Sequence, residues 1–235
     1  MNPIPTLIEK TRDQRSGQVI FLAHCILNEN TRYLGGACRP ACVQEIINQC
    51  INHNLGMIQL PCPEQQAWGG VLKRWLLPAY GMKNTLLFAL RWLLLPLMIV
   101  YTKMIYRRMA QHTARQIFDY HRSGFGVRGI IGINGSPSCG VNRTLDFAKS
   151  LDAIACLKPE TITREKANQV VTECITDGRG LFIEAIQHQL KEMHLVIDYA
   201  AHDLEGELNG CTSNMANHSI FDQSRGSISA DRKPI

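Results

Sequence analysis

Three of the nine cysteines in this 235-residue chain, Cys25, Cys62 and Cys139, share a placement that could do chemistry. Each lies at, or a few residues beyond, the C-terminal end of a short apolar run of strand length: QVIFLAH (18 to 24), GMIQLP (56 to 61) and RGIIGIN (128 to 134). In an open parallel sheet those ends form one edge, and ligands bind along it. Three thiolates converging there suit a soft metal centre. An iron–sulfur cluster held by three cysteines leaves one iron without a protein ligand, free to act as a Lewis acid towards a substrate sulfur. Zinc is the competing metal, but structural zinc usually takes four ligands. His24 could supply the fourth, although neighbours in a strand point to opposite faces, which sets it against Cys25. Spacing alone leaves an equal place for three small buried hydrophobes, since free cysteine is commonly buried.

The other cysteines differ. Cys50 falls on the apolar face of a helical segment, and Cys156 and Cys174 lie in apolar runs, all three reading as core residues. Cys38 and Cys42 form a CxxxC pair, but Glu45 stands where a CxxxCxxC cluster motif needs its third cysteine. Around Ser138 the chain reads SPSCG, which lacks the first glycine of the GxSxG elbow of serine hydrolases.

Three stretches carry a family resemblance: CILNENTRYLGG (25 to 36), PCPE followed by GG (61 to 70), and GSPSCGVNR (135 to 143). In order and neighbourhood they resemble the thiouracil desulfidase (TudS-like) family. The resemblance implies an α/β Rossmann-like domain carrying a [4Fe-4S] cluster on three cysteines. It also implies hydrolytic, non-redox removal of sulfur from a thiolated nucleobase or related thioamide, with release of sulfide. By motif position the cluster ligands are Cys25, Cys62 and Cys139. Glu64 matches the carboxylate of the family's Cys-Pro-Glu, and Ser136 matches the first serine of its Ser-Pro-Ser-Cys; both are expected to be catalytic. The chain departs from the pattern at Thr31, where a second cysteine is common, and at Leu34, where an aspartate is usual. The gap between Glu64 and the paired glycines is two residues longer than in the common pattern.

The residues support roles of their own. A carboxylate two positions after a ligand can activate water or move protons, or it can cap a helix start. Arg143 is a candidate for holding an anionic or carbonyl group of the substrate, or a surface arginine closing a turn. Gly135, Pro137 and Gly140 predict a tight segment that fixes Cys139 and turns Ser136 towards the substrate, and an ordinary turn uses the same small residues.

Several elements must position these groups. A helix is expected from Pro40, with Val43, Ile46, Ile47, Cys50 and Ile51 on one face, and Gly56 follows its end. Strand, helix and strand over this length make a βαβ unit and favour a parallel sheet. Further helices are expected over 107 to 122, 164 to 175 and 181 to 193, and a final strand in HLVIDYA (194 to 200). The fold class expected is α/β: a Rossmann-like parallel sheet with flanking helices and a hydrophobic, basic helical insertion. A single domain is placed at 1–204, the insertion at about 71–108, and a flexible polar tail at 205–235.

The net charge of +5 is unevenly spread. Residues 65 to 128 hold ten cations against one acid, Asp119, for +9, which leaves −4 for the remainder. Within that block LLFALRWLLLPLMIVY (86 to 101) is the most apolar stretch. It is shorter than a confident spanning helix of about 18 to 20 apolar residues, and Arg91 and Pro96 interrupt it. Trp75, Trp92 and the flanking cations fit an interfacial segment at an anionic membrane; a buried helix or an oligomer contact fits the length equally. The start, MNPIPTLIEKTRDQRSG, has no apolar h-region and predicts no secretory signal. An odd, irregularly spaced cysteine set predicts a reducing compartment. The expectation is a cytoplasmic protein, peripherally membrane-associated if the insertion is interfacial, acting on a small molecule and with no specific nucleic-acid partner. A cluster- or metal-binding sensor without turnover is the alternative, and a membrane-surface interaction module with merely structural cysteines is a third.

Overall fold

The computed structural model describes residues 10, 11, 13–210 and 219–221. Its strands are β1 (Gln18–Leu22), β2 (Gly56–Gln59), β3 (Gly126–Asn134), β4 (Arg143–Leu145), β5 (Ile175–Asp177) and β6 (Tyr199–Asp203). Four of them form a parallel sheet in the order β2-β1-β3-β6. The chain steps one way from β1 to β2 and then crosses to the other side for β3. The reversal therefore falls between β1 and β3, where a crevice opens past the strand ends. β1 and β3 are central, and Ile20, Phe21, Leu22, Ile130 and Ile131 are all fully buried. That explains their continuous apolar runs, since a strand covered on both faces has no polar side to show.

The helices are α1 (His24–Leu27), α2 (Gln44–Asn52), α3 (Pro63–Ala67), α4 (Leu86–Ala89), α5 (Arg91–Arg122), α6 (Phe147–Ala155), α7 (Arg164–Glu173), α8 (Leu181–Glu192) and α9 (Leu204–Leu208). α5 turns Tyr106, Met109, Ala110, Ala114 and Ile117 into the core. α8 turns in Phe182, Ile183, Ile186 and Leu190. The rings of Tyr106 and Phe182 meet edge to face at 6.2 Å.

Four expectations need correction. The helix expected from Pro40 begins at Gln44, after a non-helical stretch whose residues face Glu29. The final strand lies at Tyr199–Asp203 instead of 194 to 200. Leu195 and Ile197 are buried and Val196 is exposed, so that run alternates like a strand. Its apolar side chains fill the core while the ladder forms further on. The part of the insertion from Arg91 onward and the 107 to 122 helix are one element, the 32-residue α5. Cys156 is exposed, whereas Cys50 and Cys174 are buried as expected.

The tail expected from residue 205 is also wrong at its start, because Glu205 to Leu208 belong to α9 and Glu207 is buried. Glu207 pairs with Arg32 at 2.6 Å and with Arg39, and lies 3.0 Å from His202, whose pKa burial lowers to about 3. Glu29 completes the network through Arg32 at 3.2 Å and Arg39 at 3.1 Å. Ile220 and Phe221 are buried too. Residues 211–218 and 222–235 of the expected tail lie outside the described residues. Burying an unpaired charge is costly, so Glu207→Ala is expected to lower unfolding stability by about 3–5 kcal/mol in a urea melt. A loss under about 1 kcal/mol would place the network at a surface-like value.

Candidate functional site

Past the β1, β2 and β3 ends lies a cavity of about 150 Å³ lined by Cys25, Cys62 and Cys139. Cys25 sits in α1 directly after β1. Cys62 is the N-cap of α3, where its Sγ accepts the Gln65 N–H at 3.4 Å, and Pro63 opens the helix. Cys139 ends the tight segment after β3. In that segment Ser136 Oγ accepts the Cys139 N–H at 3.0 Å and the Ser138 N–H at 3.3 Å, and the Gly140 N–H bonds the Ser136 carbonyl at 3.1 Å. Gly135 holds a φ of +85°, a conformation that favours glycine.

The loop also lies tight against the strand it leaves. A Cβ at Gly132 would stand 2.2 Å from the Cys139 carbonyl oxygen. Gly132→Ala is therefore expected to push Cys139 out of place, costing about 1–3 kcal/mol as overpacking does. Iron content per chain after anaerobic loading should fall with it. Parent-like iron content in this variant would show that the loop tolerates displacement.

Glu64 projects from the first turn of α3, and its carboxylate goes to the cavity groups instead of capping the helix. Glu64 Oε1 accepts from Ser138 Oγ at 2.8 Å and Ser136 Oγ at 3.2 Å, and the two hydroxyls are 3.0 Å apart. Glu64 Oε2 lies 3.3 Å from Lys73 Nζ. Lys73 is buried, donates to the Thr31 carbonyl at 2.7 Å, and holds a φ of +50°. A non-glycine residue in that region is uncommon and marks a local constraint. Lys73, Ser138 and Trp68 all line the cavity, yet the sequence alone did not mark them as site residues. Trp68 is fixed by a 3.1 Å bond to Thr102 Oγ1 and stacks on Phe147 at 5.2 Å.

His24 lines the cavity with Cys25. The strand-alternation argument against it fails because both residues lie in α1, past the strand end. Arg143 does not line the cavity. Its guanidinium pairs with Glu205 and stands 4.0 Å from Asp177, the placement of a surface arginine closing a turn, so the structure does not bring it together with the cavity groups. Cys38 and Cys42 stand outside the cavity as well.

Burial raises all three thiols: Cys25 to about 12, Cys62 to about 11, and Cys139 well above its ordinary value. Nearby Arg32 partly offsets the shift at Cys25, Cys62 adds to it, and Cys25 and Cys62 both add to that of Cys139. A nucleophilic cysteine needs the opposite change, a lowered pKa. A metal ligand does not, because the bound metal drives the proton off.

The donor set fits an iron–sulfur cluster. The eight described cysteines are all free of disulfides. Cys62 already receives a hydrogen bond of the kind that tunes cluster sulfurs, from the Gln65 N–H, and Ser138 Oγ stands 3.6 Å from Cys139 Sγ. Tyr106, deep in the core, lies within electrostatic reach of Cys139 and Cys62 and interacts with Ser138. Among the described residues no three His, Cys, Asp or Glu gather closely enough for a single ion.

Comparison of the chain with protein-family models, curated proteins and solved structures finds no match. The functional reading therefore rests on the motifs and on this geometry.

Proposed function

We propose that this protein is an iron–sulfur-dependent desulfidase that hydrolyses the C=S bond of a thiolated base or related thioamide. Cys25, Cys62 and Cys139 would hold a [4Fe-4S] cluster. The strand order, with its reversal between β1 and β3, supports a Rossmann-like arrangement around that site. The observation that carries the reading is the meeting of three thiols from three strand ends with a carboxylate already bonded to two hydroxyls and a lysine.

When bound, the cluster supplies a Lewis-acidic iron that withdraws electron density from a thiocarbonyl and makes its carbon electrophilic. The chain supplies the rest. Glu64 takes a proton from water at Oε1 as the water oxygen bonds to the carbon. The same carboxylate returns that proton to sulfur, and the remaining hydroxyl proton of the adduct follows through Ser136 or Ser138 as the C=O bond forms and the C–S bond breaks, so thiocarbonyl and water become carbonyl and hydrogen sulfide with no net redox change. Lys73 at Oε2 holds the carboxylate in place and offsets its charge. Ser136 and Ser138 orient it from Oε1, and either can relay a proton. Leu72, Leu76, Leu151, Ile154 and Phe147 make the remaining wall mostly apolar. That wall excludes bulk water and favours a flat substrate with an apolar face.

Catalysis is favoured over a sensor without turnover because Glu64 faces the cavity with its proton-relay partners in place. The test is anaerobic loading with iron and sulfide, followed by sulfide release from a panel of thioamides that includes thiolated pyrimidines. Iron-loaded protein that consumes none of them overturns the reading.

A further inference from the structure

Among the described residues, one face of the apolar end of α5 is left uncovered. Trp92 is 72% exposed and Val100 65%, and Leu86, Leu87, Leu93, Leu94 and Leu97 are also exposed. Through α4 and the first turn of α5 the surface is apolar nearly all round. Beyond it Leu93, Leu97, Val100 and Met104 recur at steps of four, three and four, one stripe of a 3.6-residue helix. Thr102, Tyr106, Met109 and Thr113 are buried on the opposite side. The stripe is thus the face turned away from the body of the protein, and soluble monomers rarely expose apolar surface on this scale.

The charges select among occupants. Between Glu64 and Asp119 the chain has no acidic residue. Arg107 and Arg108 follow the stripe and fall on either side of it, and Lys83 precedes it. Among the described residues ion pairs engage Arg91, with Asp152, but not Lys83, Arg107 or Arg108. A second copy meeting this face about a two-fold axis would bring like cations together with no acid to answer them. A nucleic acid would answer the cations and leave leucines and Trp92 in water. An anionic bilayer surface answers both, taking apolar side chains into the acyl boundary and cations among its headgroups. No helix of the described residues is long and apolar enough to cross a membrane, so the element lies in the interface.

We propose that α4 and the first half of α5 form a docking face for an anionic lipid surface. The face is independent of the desulfidase reading, so its test needs neither iron nor substrate. Full-length protein is sedimented with vesicles of phosphatidylcholine alone, or of phosphatidylcholine with phosphatidylglycerol. Binding is expected to the anionic vesicles, with weaker binding to the neutral ones. High salt should weaken binding without abolishing it, since only the ionic part is screened.

R107Q with R108Q should lower affinity for anionic vesicles roughly tenfold or more, the scale for two cations near a charged surface. L93S with L97S should lower binding to both vesicle types while circular dichroism stays parent-like, because both side chains already face solvent. Parent protein that ignores both vesicle types overturns the proposal. So does dependence of a dimer, and not of vesicle binding, on Leu93 and Leu97. Vesicle binding that survives both double substitutions moves the contact elsewhere and overturns it too.

Discussion

Serine at position 25, 62 or 139 is expected to abolish or severely weaken cluster binding, whereas serine at position 50 or 174 leaves it intact. Parent protein loaded anaerobically should hold about four irons and four sulfides per chain, as for a [4Fe-4S] centre. The contrast between the two groups makes the experiment informative. All five cysteines are buried or partly buried, and burial alone would predict similar losses of stability. Only Cys25, Cys62 and Cys139 border the cavity. Serine is close in shape to cysteine but is a poor ligand for a soft metal. The three site variants should therefore fold, as judged by circular dichroism, and fail on iron and sulfide analysis. Cys50→Ser removes a fully buried sulfur from the α2 face and is expected to cost some stability with no loss of iron. Stoichiometric zinc in the parent, or equal iron loss from Cys50→Ser, would reject the assignment.

The site was legible in the sequence where residue type and strand ends coincide. β1, β2 and β3 are short apolar runs stopped by polar or turn residues, and each stop carries a cysteine, so the convergence of Cys25, Cys62 and Cys139 could be read before any coordinates. Glu64 and Ser136 came with their motifs. Lys73 was hidden because it stands in a basic block and reads as one solvated cation among ten. It reaches Glu64 only because the chain turns back after Gly69 and Gly70, and no periodicity encodes that return. In the sequence Ser138 stands only as the centre of an incomplete GxSxG elbow, although it makes the shorter of the two serine bonds to Glu64.

The misreadings of the fold have physical causes. The apolar run that Arg91 and Pro96 interrupt in sequence is divided at Leu90 in the structure, and the helix runs through Pro96. Proline forfeits the bond to the carbonyl four residues back. Here that carbonyl belongs to Trp92, on an exposed turn where water can satisfy it. β6 reads Tyr-Ala-Ala-His-Asp, small and polar for a strand, so its apolar neighbours drew the assignment. β4 and β5 are three residues each and pair antiparallel, too short to show a period. Arg143 looked like a substrate group because the motif ends there, but β4 gives it to Glu205.

Glu64→Gln should separate metal binding from turnover. The amide keeps the shape of the carboxylate and can still accept from Ser136 or Ser138, and Glu64 is not among the thiols that would hold iron. Iron content and absorption spectrum should stay at the parent level. The amide cannot take a proton from water at neutral pH, and it loses the ion pair with Lys73. General acid–base groups typically contribute about 10²–10⁴-fold, and sulfide release from a thioamide should fall by that order. Lys73→Met tests the same assembly from the other side. It leaves the acid–base group in place while removing the cation that holds Oε2, so turnover should fall by less than in Glu64→Gln. A Glu64→Gln variant that turns over like the parent would assign the carboxylate to structure. Loss of iron from that variant would make Glu64 a support of the metal centre instead of a proton carrier, since an amide of the same shape would have removed only charge.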